Sequence, residues 1–184
     1  MPGPLLLATT LLMVIVITAI AAVNFLPGTL GKNDKQFYGE GDFTLDMYGW
    51  NNLKTSFKKV IDNDIKTGLM NKEAVIVCNK WFPAAHIDFY AAMPLKKDLI
   101  AIGDTDDIHQ YAWMNTKRKI LQPGDDAYCI VPSNYNADVN TIYALYFTTI
   151  LPPQIIEQKR NGSVCRYFYI WRLKGFIAKQ NLLH

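Results

Sequence analysis

The stretch EAVIVCN, residues 73–79, decides the fold class of this chain. It is a short, continuous apolar run, which is typical of a strand that is buried on both faces of a sheet. Two further runs of this kind follow, DLIAIG at 98–103 and DAYCIVP at 126–132. Because helical patterns separate the three runs, the sequence predicts an α/β domain whose sheet is mostly parallel.

The segments around these runs have helical spacing. Apolar residues recur through GWNNLKTSFKKVIDNDI, residues 49–65, with Lys and Asn between them, which predicts an amphipathic helix. Asp46 stands just ahead of it, where a carboxylate can accept hydrogen bonds from the free N–H groups of the first turn. PAAHIDFYAAM at 83–93 predicts a helix with its proline in the first position, and DIHQYAWM at 107–114 predicts a short third helix.

The end of the chain has a different pattern. ALYFTTI at 144–150 and SVCRYFYIWRL at 163–173 alternate and are rich in aromatic and β-branched residues, as antiparallel strands are. The sequence RNGS at 160–163 is a strong hairpin turn signal. The prediction for residues 46–184 is therefore a three-layer α/β domain with a mostly parallel sheet and a C-terminal antiparallel hairpin.

An apolar run without charge extends over residues 5–26. At about 1.5 Å per residue in a helix it is long enough to cross the hydrocarbon core of a membrane. The tripeptide AIA at 19–21 resembles a signal-peptide cleavage site, but the run is long for a signal peptide and the preceding MPGP has no Lys or Arg. We therefore favour a retained transmembrane helix at 5–26, joined to the soluble domain by a linker at 27–45 that is rich in Gly, Lys and Asp.

Composition narrows the possible classes of function. The 184 residues, 50% of them hydrophobic, are enough for one domain of ordinary size plus an anchor. A net charge of +3 without a stripe of Lys and Arg argues against a nucleic-acid partner. The three cysteines lie in apolar runs and predict buried free thiols, with one disulfide as the alternative if the domain lies outside the cytoplasm. They are Cys78, Cys129 and Cys165.

Seven aromatic and polar residues in and beside the predicted helices are candidates for binding a carbohydrate or a lipid phosphate. Aromatic rings pack against apolar faces, and His and Gln form hydrogen bonds with hydroxyl groups. The alternative for all seven is ordinary packing of helices on the sheet. The predicted substrate-binding residues are Tyr48, Trp50, His86, Tyr90, Gln110, Tyr111 and Trp113.

The motifs of common catalytic and metal sites are missing from the sequence. It contains no G-x-S-x-G, no H-E-x-x-H and no phosphate-binding glycine loop, so we predict no catalytic residue, metal or cofactor. Asp104 and Asp106 form a D-x-D pattern after a predicted strand, which nucleotide-sugar enzymes use to hold a divalent cation. Asp-rich loops at this place more often cap helices, so a small cytoplasmic nucleotide-sugar enzyme is the weakest of three hypotheses.

Several blocks of the sequence together resemble the C-terminal end of GT-C membrane glycosyltransferases. The resemblance is greatest to the dolichyl-phosphate-mannose protein mannosyltransferase-like and aminoarabinose-transferase-like family. It begins with an apolar helix that ends near a proline and finishes with RYFYIW at 166–171, followed by GF. The matching stretches between these ends are DMYGW at 46–50, PAAHIDFY at 83–90, QYAW at 110–113 and PGDDA at 123–127.

The resemblance implies a polytopic enzyme that transfers a sugar from a polyprenyl-phosphate donor and has its soluble tail outside the cytoplasm. In that family the catalytic carboxylate lies in the first extracytoplasmic loop, and nothing in this sequence matches that loop. The chain is therefore expected to be a last helix plus an accessory tail domain, with the remaining membrane helices as a partner and no transfer activity of its own.

The side of the membrane on which the domain lies is judged differently by the charges and by the resemblance. Lys32 and Lys35 follow the apolar run and point weakly to a cytoplasmic domain by the positive-inside rule, but in a multi-span protein the earlier helices set the topology. We therefore expect the domain outside the cytoplasm. The alternative function is a stand-alone membrane-anchored domain that binds glycans or other envelope components without enzymatic activity.

Overall fold

The computed structural model, which describes residues 3–177, contains one mixed sheet of five strands. Their order across the sheet is β2-β1-β3-β5-β4. The strands are β1 (Val75–Cys78), β2 (Leu99–Ala101), β3 (Ala127–Pro132), β4 (Phe147–Arg160) and β5 (Ser163–Phe176). The strand β1 pairs in parallel with β2 and β3, whereas β5 pairs antiparallel with β3 and β4. The α/β class and the C-terminal hairpin are confirmed, but the sheet is mixed rather than mostly parallel because the long hairpin supplies half of the strand pairings.

Each of the three continuous apolar runs forms one of the parallel strands. In β1, Ile76 and Cys78 belong to one buried cluster, while Val75 and Val77 belong to a second buried cluster on the other face. Since successive side chains of a strand point to opposite faces, this arrangement requires a strand without polar alternation. The first cluster includes side chains of the helices at 53–66 and 81–87, and the second includes side chains of the helix at 139–143.

Six α-helices accompany the sheet in the described part of the chain. They are α1 (Pro4–Phe25), α2 (Leu53–Lys66), α3 (Trp81–Ile87), α4 (Thr105–Ile108), α5 (Tyr111–Met114) and α6 (Val139–Tyr143). The amphipathic helix expected at 49–65 is confirmed as a 3₁₀ turn, Trp50–Asn52, that leads into α2.

Two predicted helices have different limits in the structure. The helix α3 begins at Trp81, so its proline is the third helical residue, and it continues as a π-helical turn over Asp88–Ala92. The helix expected at 107–114 is divided into α4 and α5 because His109 adopts a φ of 48°, which ends α4.

The predicted capping role of Asp46 is wrong. Residues Phe43–Asp46 form a 3₁₀ helix of their own, so Asp46 closes that helix and does not precede α2. Its carboxylate accepts a hydrogen bond of 2.8 Å from the hydroxyl of Tyr135. The carboxylate that caps the 3₁₀ helix Phe43–Asp46 belongs to Asp42, which accepts a hydrogen bond from the backbone N–H of Thr44.

The helix α1 has the properties of a membrane span. It is 22 residues long, has a mean hydropathy of 2.7 in its most apolar window, and buries none of that window against the rest of the protein. The hydroxyl groups of Thr9 and Thr10 and the amide of Asn24 donate to carbonyl groups four residues earlier. These polar side chains are therefore satisfied within the helix, as a lipid environment requires. The three cysteines are free and buried, as predicted.

Candidate functional site

A cleft of about 360 Å³ lies beside the C-terminal end of α1, and we call it the membrane-end cleft. Its volume falls in the range of small-ligand sites. Aromatic and amide side chains dominate its lining, which includes no charged residue. The lining residues are Asn24, Met47, Tyr48, Gly49, Trp50, Asn51, Asn52 and Tyr90.

A sharp turn at Gly49 forms the floor of this cleft. Gly49 has a φ of 73°, a conformation that residues with a side chain rarely adopt. A Cβ atom at this position would also overlap the side chain of Gln158, whose amide donates a hydrogen bond to the Gly49 carbonyl. The glycine therefore allows the chain to turn against β4 and to place Tyr48 and Trp50 on either side of the turn.

Trp50 is a packed residue whose ring faces are both covered. The ring of His86 stacks on it at 4.5 Å between centroids and 11° between planes. The guanidinium of Arg166 lies 4.1 Å from the Trp50 ring centroid. With these two groups packed on the ring and almost no surface exposed, no face of the ring is left open to solvent. Trp50, only 2% exposed, therefore offers the cleft an edge and no open face for a sugar.

Tyr48 and Tyr90 provide the accessible aromatic surface of the cleft. Both are partly buried, and the Tyr48 hydroxyl donates to the carbonyl of Lys159 at 3.1 Å. Tyr90 continues the stack of parallel rings, because its plane lies 8° from that of His86 at 6.0 Å between centroids. Four of the seven predicted site residues, namely Tyr48, Trp50, His86 and Tyr90, are thus brought together.

His86 lies behind Trp50 and Tyr90. Burial lowers the pKa of His86, the positive charge of Arg166 lowers it further, and the carboxylate of Asp46 acts in the opposite direction. The imidazole is therefore neutral at neutral pH. It stacks with both rings and carries no charge there.

The other three predicted site residues lie elsewhere. Tyr111 is buried and its hydroxyl donates to Asp88 at 3.3 Å. Trp113 is exposed, and the ammonium of Lys117 lies 4.1 Å from its ring centroid. Gln110 is exposed on the turn between α4 and α5 and does not line the membrane-end cleft.

Arg166 fixes the backbone that carries the cleft. It is fully buried and donates to the side chain of Gln158 at 2.8 Å and to the carbonyls of Leu45 at 3.1 Å and Tyr48 at 2.8 Å. Burial lowers the pKa of Arg166 to about 10, so the guanidinium stays charged at neutral pH. Backbone carbonyls and aromatic faces solvate this charge, and the same hydrogen bonds connect the segment around Tyr48 to β5.

Arg160 connects the same region to α1. Its guanidinium pairs with the buried carboxylate of Asp42 at 3.2 Å and donates to the Val23 carbonyl at 3.1 Å and the Gly28 carbonyl at 2.8 Å. Next to it, the side chain of Asn161 donates to the carbonyl of Phe25 at 3.1 Å. The end of α1 and the cleft beside it are thus held by the turn of the β4–β5 hairpin. The segment 27–45, expected as a linker, is folded against this hairpin.

Sequence reasoning missed these buried arginines, although a signal was present. Arg166, Phe168, Ile170 and Arg172 are two residues apart and share one face of β5, and the middle two belong to the buried core. An arginine on the core face of a strand predicts a buried charge that needs partners. The partners come from distant segments, as when Arg172 pairs with Asp64 at 2.6 Å.

Across residues 3–177, His, Cys, Asp and Glu form no group of three or more that could hold a metal ion. Asp104 and Asp106 are both exposed at the start of α4.

Comparisons with known protein families, with curated proteins and with solved structures found no match to this chain.

Proposed function

We propose that this chain is the membrane-anchored, extracytoplasmic accessory domain of a lipid-linked-sugar-dependent glycosyltransferase, and that its membrane-end cleft binds the sugar. The catalytic carboxylate would come from a separate membrane part. The observation that carries the proposal is the cleft itself, a neutral site of aromatic and amide groups next to the end of an apolar helix.

The chemistry of the lining favours a neutral polyol. The exposed amide side chains of Asn51 and Asn52 can both donate and accept hydrogen bonds, as recognition of sugar hydroxyls requires. Tyr48 and Tyr90 add apolar ring surface of the kind that packs on a sugar ring. Since no cationic side chain lines the cleft, it suits the sugar better than the phosphate of a lipid-linked donor.

The position of the cleft favours a ligand attached to the membrane. Asn24, in the last turn of α1, lines the cleft, so an α1 that spans the bilayer brings the cleft to its surface. A polyprenyl chain in the bilayer could then present its sugar without leaving the lipid. The sequence blocks that resemble GT-C glycosyltransferases support the same ligand class.

The second candidate, a stand-alone glycan-binding domain, draws on one specific observation. The cleft carries both hydrogen-bonding amides and accessible ring surface, the two kinds of group that glycan binding uses. The two candidates differ in ligand preference. The accessory domain should favour a sugar on a polyprenyl phosphate, whereas a stand-alone domain should bind the same free sugar equally well.

The test measures ligand binding to the full chain in detergent micelles, with native mass spectrometry as the readout. The probes are polyprenyl-phosphate mannose, unglycosylated polyprenyl phosphate and free mannose. We expect the glycosylated lipid to bind at least about ten-fold more tightly than either control ligand. Asn51→Ala combined with Asn52→Ala should weaken that binding by about ten-fold, since two hydrogen-bonding amides are lost.

Asn63→Ala is the matched control, because it removes an exposed amide from α2 outside the cleft. It should leave binding unchanged. Equal binding of all three ligands, or equal binding by the Asn51→Ala/Asn52→Ala variant and the parent chain, would contradict the proposal.

A further inference from the structure

The short helix Phe43–Asp46 and the residue after it have an unusual distribution of apolar side chains. Thr44 and Leu45 are buried at 2% and 0% exposure, whereas Phe43 and Met47 are exposed at 77% and 80%. These are the two most exposed large apolar side chains that the structure describes beyond α1. They are four residues apart, and buried neighbours separate them.

These two side chains lie beside the end of α1. The side chain of Thr44 and the carbonyl of Val23 both accept hydrogen bonds from the same nitrogen of Arg160, at 2.7 Å and 3.1 Å. Met47 and Asn24 line the same cleft. The exposed apolar side chains therefore lie next to the last turn of α1, where Phe25 is also 68% exposed.

The charged groups near this surface are already paired. The Asp42 carboxylate is bound to Arg160, Thr29 and Thr44, and the Asp46 carboxylate accepts from Tyr135. The Asp42 charge therefore has a cation as its partner, and the Asp46 carboxylate keeps a hydrogen-bond donor when Phe43 and Met47 are buried in an apolar medium.

We propose that Phe43 and Met47 insert into the lipid bilayer at the level where α1 leaves it. The bilayer is the occupant because these side chains lie beside the end of α1, whose apolar length matches the hydrocarbon thickness. With α1 this gives the domain two membrane contacts, which fix its orientation and hold the mouth of the membrane-end cleft at the headgroup layer. The inference depends on α1 as a membrane span and not on sugar binding.

The β4–β5 hairpin gives a built-in control at the opposite end of the domain. Its turn contacts α1, and the fourteen residues of β4, at about 3.3 Å each, place the other end on the order of 40 Å away. Leu145 precedes β4 at that far end and is also an exposed apolar residue, at 68%. It should stay in water.

The test uses the full chain in phosphatidylcholine nanodiscs, with one fluorescent NBD label on Phe43→Cys, Met47→Cys or Leu145→Cys. The native thiols should not compete for the label, because all three are buried and burial raises the pKa of each. Quenching is measured with a lipid that carries a doxyl group near the headgroup and with aqueous iodide.

We expect labels at positions 43 and 47 to be quenched at least about three-fold more by the doxyl lipid than the label at 145, and less by iodide.

A second measurement avoids a label at the proposed insertion sites. In Phe43→Ser/Met47→Ser, a label at Asn51→Cys on the cleft should lose its lipid quenching, whereas Leu145→Ser should leave it unchanged. Labels at 43 and 47 that behave like the label at 145 would overturn the inference. So would an Asn51→Cys label whose quenching is the same in the double variant and its parent.

Discussion

At the scale of single residues, Trp50 shows how a candidate ligand platform can be a core residue. Its indole N–H donates to the Asp46 carbonyl at 3.0 Å, and both ring faces are covered. Trp50→Ala should lower the free energy of unfolding by about 3–5 kcal/mol, the usual cost of deleting a large buried aromatic ring. Urea unfolding of the full chain in detergent, followed by circular dichroism, measures this change.

Trp113→Ala is the matched control, because Trp113 is 62% exposed. It should change stability by no more than about 0.5 kcal/mol, as surface substitutions usually do. If the two variants lost the same stability, Trp50 would not have the packed role assigned to it.

A second residue-scale prediction concerns pH. Burial and the charge of Arg166 lower the pKa of His86 below its ordinary 6.5. The unfolded chain therefore takes up this proton at a higher pH than the folded protein does. The stability that the neutral His86 side chain contributes is fully present above pH 6.5. This contribution is lost as the pH falls from 6.5 towards the pKa of His86 in the folded protein.

Thermal unfolding between pH 7.5 and 5 should thus show a falling Tm, and His86→Phe should flatten this part of the profile while keeping the stacked ring. The lowered pKa of Asp42 acts only below pH 3.8, where loss of its charge removes stability, so the two effects are separate. An unchanged slope in His86→Phe would exclude His86 as its origin.

The buried pair of Arg160 and Asp42 gives the third prediction. Arg160→Met leaves the Asp42 carboxylate buried without its cation and removes the donor to α1. We expect a loss of about 3–5 kcal/mol in unfolding free energy, as for other broken buried pairs. The neighbouring Lys159→Met removes a cation whose side chain is 58% exposed and should have little effect. A small loss in Arg160→Met would show that the pair does not hold the domain to α1.

At the scale of elements, the turn at Gly49 determines how the 43–52 segment meets β4. Gly49 and Gly68 have similar φ values, 73° and 70°, but a Cβ atom would overlap Gln158 only at Gly49. Gly68→Ala should cost about 1–2 kcal/mol from backbone strain alone. Gly49→Ala should cost more and also weaken sugar-lipid binding, because Gln158 orients both the turn and Arg166. Equal effects of the two substitutions in unfolding measurements would mean that the Gln158 contact has no energetic weight.

The elements also show what the sequence could predict. The three apolar runs became the parallel strands, and the Asn-Gly turn produced the hairpin with φ values of 47° and 81° at its two central residues. These features depend on local pattern and on backbone preference, which a short segment contains. The 3₁₀ helix at 43–46 was missed because its capping residue, Asp42, is held by Arg160. That partner lies 118 positions further along the chain, where no local pattern shows it.

At the scale of the whole molecule, the candidate site was predicted only in part. Tyr48, Trp50, His86 and Tyr90 come together because α2 and α3 pack on the same face of the sheet. Gln110, Tyr111 and Trp113 do not join them, because the break at His109 starts a separate short helix. The cleft also needs α1, whose position follows from side chains of the hairpin turn that no local pattern relates to it.

For the molecule as a whole, we propose a domain held against a membrane, with a cleft that binds a sugar at the lipid surface outside the cytoplasm. The glycosyltransferase proposal depends most on the side of the membrane on which the domain lies. The most direct measurement fuses the chain at His184 to a reporter that is active only outside the cytoplasm, and in parallel to one that is active only inside, in a bacterial host. We expect activity of the outside reporter alone. Activity of the inside reporter alone would contradict the proposed function.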